Sequence, residues 1–189
     1  MREIGIALAL VVCMWAITKL GRRRGDDSRS ARLMKKYKTL TAELLADTPD
    51  DELVEAVVAN VLADAAESRK PDPLYTLSKL PQPYLVVYSI WAVCKELARG
   101  DYAALTHTAT RHVVQDACDG LPVIGAPQTA EALTNLVALH KEGEDTAEAE
   151  SAYHTAVETE CPMALLATYI RDHVPALLGE EIEDESDGE

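Results

Sequence analysis

The sequence predicts an all-α protein, a helical bundle of about six to eight helices preceded by one N-terminal transmembrane helix. Three observations carry that reading. Apolar residues recur at three- and four-residue spacing along most of the chain, and no stretch alternates as a half-buried strand does. The 189 residues suit one domain with appendages, and at 48% apolar composition they are too hydrophobic for a disordered chain. The residues from Ile4 to Leu20 form an apolar run of seventeen positions broken only by Thr18 and Lys19.

At ~1.5 Å per residue that run spans ~26 Å, the short end of what a bilayer requires. Lys19 can snorkel outward and Trp15 sits where an indole anchors at the headgroups. A cleaved signal peptide or a buried core helix are the alternatives. A signal peptide carries its positive charge before the run and small residues at its end; here Gly21-Arg22-Arg23-Arg24 follows the run and no Ala-x-Ala precedes the arginines. Of the ten basic residues up to position 42, nine lie at or beyond the C-terminal end of the run, so the positive-inside rule keeps the C-terminal domain cytoplasmic and sends the short N-terminus across the membrane. The basic flank of Lys19, Arg22, Arg23 and Arg24 then faces the lipid headgroups. The domain organisation follows: an anchor and basic flank over 1–24, a linker and amphipathic basic helix over 25–47, an acidic all-helical domain over 48–178 and an acidic tail over 179–189.

Within the second segment, residues 25–30 read as a polar link, and Leu33, Tyr37, Leu40 and Leu44 follow helical spacing. Thr48-Pro49-Asp50-Asp51 starts the next helix, with Thr48 as its cap and the acids at the positive end of the dipole. Its buried stripe is Leu53, Val54, Val57, Val58, Val61 and Leu62, and its Ala-rich outer face suits close packing on another helix. Asp72-Pro73 opens a short helix with Leu74 and Leu77. Pro81 and Pro83 start the most apolar stretch of the domain, Tyr84 to Cys94, read as the central helix and stopped at Gly100. Asp101 caps a helical region reaching Gly120, with a break near Thr108 to Thr110. Leu121 to Pro127 reads as a turn. A further helix runs to about His140, Lys141 to Asp145 as a charged loop, and two last helices over 147–160 and 163–178, the latter bent or ended by Pro175. The tail from Gly179 holds seven acids in eleven residues and is a solvated segment.

Charge is distributed unevenly. Residues 1–42 hold ten basic and three acidic groups, net +7, and residues 43–189 hold eight basic and twenty-nine acidic groups, net −21. An acidic body is repelled by nucleic acid, so direct DNA or RNA binding is not expected. Neither cofactor chemistry nor catalysis has a recognisable motif: no glycine-rich phosphate loop, Gly-x-Ser-x-Gly elbow, His-Glu-x-x-His or Glu-x-x-His occurs. The four cysteines, Cys13, Cys94, Cys118 and Cys161, match neither a zinc site nor a disulfide framework and read as reduced thiols. Cys94 with His107, and Cys118 with His112, are the nucleophile–base combinations that folding could assemble; Glu96 and Asp116 are the carboxylates available for general acid–base work.

The acidic surplus is therefore the property that points to function. Carboxylates three or four residues apart on a helix lie ~5–6 Å from one another, comparable with phosphate spacing. The strongest run is Glu142, Glu144, Asp145, Glu148 and Glu150, the candidate acidic interaction surface, followed by the C-terminal tail.

Leu80-Pro81, Val87-Tyr88, Trp91, Glu96, Gly100 and Tyr102, then Leu121-Pro122-Val123-Ile124-Gly125-Ala126 with Ala130, and finally Tyr153, Leu165, Leu166, Tyr169 and Ile170 resemble the central helix, turn and C-terminal helices of the small acidic DNA-mimic protein family over about residues 73–175. The family's Asn-Gly-Gly-aromatic turn and the aromatic-rich segment after it are replaced here by Ala98-Arg99-Gly100-Asp101-Tyr102 and Ala-Ala-Leu-Thr. The resemblance implies an all-helical fold and a protein-binding role in which acids occupy a basic regulator's DNA site. The residues themselves lead first to a membrane-anchored, cytoplasm-facing acidic helical domain that binds a protein with a basic surface, with DNA mimicry second and an enzyme or a purely structural membrane component behind them.

Overall fold

The structure is a computed structural model that describes residues 28–69, 71–107 and 109–180. Every regular element in these residues is helical. In chain order they are α1 (28–36), α2 (Ala42–Asp47), α3 (Asp50–Glu67), α4 (Pro73–Leu77), α5 (Gln82–Leu97), α6 (Ala104–His107), a 3₁₀ turn (Ala109–His112), α7 (Val114–Val123), α8 (Pro127–Glu142), α9 (Ala147–Glu160), α10 (Pro162–Asp172) and α11 (Val174–Leu177). The described residues thus hold eleven α-helices rather than six to eight, because several of the expected long helices are broken into short ones. Among the described residues no helix is long and apolar enough to cross a membrane. The apolar run Ile4–Leu20, the basic flank Lys19, Arg22, Arg23 and Arg24, and the tail beyond Glu180 lie outside the described residues.

The central position of α5 follows from its composition. It packs on α3, α7, α10 and α11, with α8 resting on α7 and α9 paired with α8. Val57 and Val61 of α3, Val87, Ile90, Val93 and Leu97 of α5, Leu121 of α7, Leu133 and Leu136 of α8, and Leu166 and Ile170 of α10 join one contiguous buried cluster. Each such aliphatic side chain taken from water contributes about 1.5–3 kcal/mol, which builds a core without any Phe.

The sequence expectations for the ends of the elements need four corrections. Residues 30–44 do not form one helix: the chain turns at Tyr37, whose ring is fully buried, and resumes as α2. Thr48 does not cap α3. Its hydroxyl donates to the Leu44 carbonyl at 2.7 Å and closes α2, leaving Pro49 at the cap position of α3. Gly120 does not end a helix; it lies inside α7, where a Cβ would stand 3.4 Å from Ile90 Cδ1 and Val86 Cγ1, so glycine there lets α7 approach α5 closely. The helix continues past it through Pro122, and the turn is confined to Ile124–Ala126. Gly125 adopts φ +89°, and the Ala126 and Gly125 N–H groups donate back to the Leu121 and Pro122 carbonyls at 2.8 and 3.0 Å. That is a left-handed helix stop with its apolar closing residues, Leu121 and Ala126, both buried.

The expected close packing on the Ala-rich face of α3 is present. Tyr37, Ala56 and Ala59 form a second, separate buried cluster, covered by Leu33, Met34, Leu40 and Leu44. Ion pairs flank the seam: Arg29 with Glu55, Lys36 with Glu52 and Lys38 with Glu67, at 2.5, 2.7 and 2.6 Å. The Tyr37 hydroxyl also donates to Glu52 at 2.5 Å, and these two partners, Lys36 first, hold the Glu52 carboxyl below its ordinary range. Asn60 Nδ2 donates to the Tyr37 and Lys38 carbonyls at 3.2 and 2.9 Å, fixing the end of α1. Across the molecule, Arg171 of α10 donates to the carbonyls of Leu45, Ala46 and Thr48 and to Asp50 Oδ1, so one guanidinium closes α2 and fastens α10 to the start of α3.

Candidate acidic interaction surface

The hairpin of α8 and α9 packs on α6 and α7 rather than on α3 and holds the longest acidic run of the described chain. Both of its ends are built by local chemistry. At the open end α8 begins with Pro127 at its first position and has no cap of its own; Glu160, the last residue of α9, supplies one. Its carboxylate accepts from the Gln128 N–H at 2.9 Å, the Thr129 N–H at 2.7 Å and the Thr129 hydroxyl at 2.7 Å. Burial pushes the Glu160 carboxyl upward, but the Thr129 hydroxyl and the two N–H groups outweigh it and hold the group below its ordinary range. At the closed end Gly143 takes φ +74° and the Glu144 N–H donates to Leu139 O at 3.1 Å. Asp145 Oδ1 accepts from the Ala147 N–H at 3.1 Å, and the Thr146 hydroxyl donates to Glu150 Oε1 at 2.7 Å.

Of the five acids the sequence singles out, the structure brings Glu142, Glu144, Asp145, Glu148 and Glu150 together around this closed end. They are not equivalent. Asp145 and Glu150 serve the first turn of α9, whereas Glu142, Glu144 and Glu148 are exposed and form no ion pair among the described residues. Glu148 alone of the five lines the open groove of about 620 Å³ on the outer side of the hairpin. It is also lined by Gln128, Glu131 and Asn135 of α8 and Ser151, Thr155 and Thr159 of α9, with Ala132, Ala152 and Ala156 between them. Glu131 and the exposed Glu158 belong with the unpaired acids and were missed by reading a contiguous run; the 128-131-132-135 and 148-151-152-155 spacings were the signal, each marking one helix face.

Behind the groove the hairpin is tied to α5 and the loop after it. Tyr153 is buried and its hydroxyl donates to Cys94 Sγ at 3.6 Å. Burial pushes both the Tyr153 phenol and the Cys94 thiol upward, which keeps the pair neutral. Tyr102 stacks on His140 and its hydroxyl lies 2.6 Å from His154 Nε2.

The nucleophile–base combinations do not assemble. Cys94 takes Tyr153 as partner, His107 lies against the Thr106 hydroxyl at 2.5 Å, His112 accepts from Arg111, and burial raises the Cys118 thiol. Glu96 pairs with Arg99 at 3.3 Å, and Asp116, raised by burial and by Asp119, shares its helix with that second acid. Among the described residues no group of three or more His, Cys, Asp or Glu is placed to hold a metal ion.

Comparison with protein-family models, with curated proteins and with solved structures finds no match to this chain.

Proposed function

We propose that the chain is a membrane-tethered, cytoplasm-facing helical domain that docks a protein with a basic surface on the outer groove of α8 and α9. The observation that carries the docking is the segregation of matched from unmatched acids. On α3, four of the six acids, Asp50, Glu52, Glu55 and Glu67, have a cation from α1, α10 or the turn after α1, while Asp51 and Asp64 have none among the described residues. On the hairpin, Glu131, Glu142, Glu144, Glu148 and Glu158 have none among the described residues, and no Lys or Arg occurs from residue 142 to residue 170. Like charges left together repel one another, and a basic partner relieves that repulsion while it gains from the field. The tether is supported by the Ile4–Leu20 run and the three arginines that follow it.

The test is recovery of partners from detergent extracts by the full chain at low and high salt, beside a Glu131→Gln/Glu148→Gln variant. The expected result is a basic-surfaced protein that is retained at low salt, released at high salt and lost with the variant. Equal recovery by both chains overturns it.

A second reading follows from the unmatched acids together with the resemblance of residues 73–175 to DNA-mimic proteins: the hairpin occupies a regulator's DNA site. The residues that carry the resemblance, such as Gly125, Leu166 and Ile170, are helix stops and core positions here and speak to the fold. Mimicry requires DNA and this chain to compete for one site on the partner. A gel-shift competition separates the two: release of DNA supports mimicry, and a ternary complex supports docking elsewhere on the partner.

A further inference from the structure

The cations of α1 divide into two sets that the sequence does not distinguish. Arg29 and Lys36 turn inward to Glu55 and Glu52 of α3. Arg32 and Lys35 are exposed and form no ion pair or hydrogen bond among the described residues, and helix 28–36 contains no acid. The apolar residues of the same helix, Leu33 and Met34, are already used against the second buried cluster, so α1 has no free greasy face to insert into lipid. What it offers outward is charge.

Geometry says what that charge meets. Only seven residues, eight Cα–Cα steps, separate Leu20, the end of the apolar run, from Ser28. Fully extended they reach at most about 29 Å, so once the run is in the bilayer α1 is held within that distance of the headgroups. Beside α1 lies a cleft of about 90 Å³ lined by Arg29, Ser30, Leu33 and Met34 from α1 and by Trp91 and Lys95 from α5, with the Lys95 ammonium 4.4 Å from the Trp91 ring centroid. An indole and an ammonium at this edge are the pair of side chains that settle at a membrane interface. The unmatched acids lie on α8 and α9, which pack on α6, α7 and each other rather than on α3, and an anionic bilayer repels them.

We propose that the outer face of α1, through Arg32 and Lys35, docks on an anionic phospholipid surface and fixes the orientation of the whole domain, with the α8–α9 groove turned away from the membrane. This rests on the membrane tether proposed above. The lipid contact uses cations that the fold leaves unspent, while Arg29 and Lys36 keep α1 on α3, so the domain docks as a rigid unit.

The experiment uses the full chain with Trp15→Phe, which leaves Trp91 as its single indole, in vesicles of phosphatidylcholine with or without a third of phosphatidylglycerol, each carrying a dansyl headgroup acceptor. The expected result is greater energy transfer from Trp91 in the anionic vesicles, returning to the zwitterionic level in high salt. The same loss is expected in an Arg32→Gln/Lys35→Gln variant, because two surface cations shift the ratio of docked to free domain on the order of thirtyfold. Circular dichroism and Tm of that variant match the parent, since neither side chain has a partner to lose, and Lys36→Gln, which does lose one, retains the lipid response. Equal transfer in the two vesicle types, or an anionic response that survives the double variant, overturns the proposal while the chain still floats with both vesicle types. A chain that floats with neither overturns the tether itself.

Discussion

Removing the carboxylate of Glu160 is the sharpest test of how the hairpin is held. In Glu160→Ala the α8 N-terminus loses its acceptor for the Gln128 and Thr129 N–H groups, and the buried Thr129 hydroxyl loses its partner as well. Loss of a side-chain cap costs about 1 kcal/mol, and loss of a negative charge at a helix N-terminus about 0.3–1 kcal/mol more, so the expected destabilisation is about 1.5–2 kcal/mol. At roughly 2–4 °C per kcal/mol for a domain of this size, Tm falls by about 3–8 °C. Glu160→Gln keeps one acceptor and loses the charge, and is expected near half of that. The dependence on pH has a definite sign. Because the folded carboxyl titrates below its ordinary value of 4.5, its contribution is complete above that value and drains away as pH falls through the folded value. Thermal melts of the parent and both variants in a series from neutral to acidic pH should therefore show a full gap at neutral pH that narrows as the pH falls. A Glu160→Ala chain that melts with the parent at neutral pH, or a gap that persists undiminished in acid, refutes the capping argument.

Two further substitutions probe joints that no motif announces. Cys161, the hinge between α9 and α10, holds a left-handed conformation at φ 50°, the single non-glycine residue with positive φ among the described residues. Relief of that strain by glycine exceeds the added unfolded-state entropy, so Cys161→Gly is expected to raise stability by about 0.5 kcal/mol in a denaturant titration; a lowered midpoint refutes it. Arg171→Met keeps the stem of the side chain but leaves the Thr48 carbonyl and Asp50 without their donor, and is expected to cost about 2 kcal/mol by the same titration, with no effect on the α8–α9 surface.

Much of the fold was legible in the sequence because helix stops and starts have local causes. Asp101 caps where it was expected to, Asp72 caps the short helix that it was read as opening, with Ala104 N–H and Leu74 N–H donating to them, and Pro81 precedes the central helix as read. The misreadings arise where a distant partner overrides the local signal. Gly120 looks like a terminator, yet the side chains of Val86 and Ile90, thirty or more positions away, decide that it is a packing glycine. Thr48 looks like a cap for the helix ahead of it and instead satisfies the carbonyl of Leu44 behind it. α8 lacks a local capping residue because its cap comes from Glu160, thirty-two positions from Gln128, and no window along the chain connects them.

On the acidic surface, too, distant partners decide what each residue does. Carboxylates among the described residues have three main occupations: some neutralise a cation, as Glu52 and Glu55 do for α1; some accept from N–H or O–H donors, as Asp145 and Glu160 do at helix starts and Asp119 and Glu150 do from side chains; and some stand exposed with no partner, as Glu131, Glu142, Glu144, Glu148 and Glu158 do. Sequence counts all three alike, which is why a contiguous run overstates the available surface at Asp145 and Glu150 and omits Glu131 and Glu158. Since an exposed ion pair contributes about 0–1 kcal/mol, folding gains little by matching every acid. What sorts them is position: basic residues are concentrated before residue 39, and α1 carries them only to α3. The hairpin packs on α6 and α7 rather than on α3, so its charge persists in the folded state and is available to a partner.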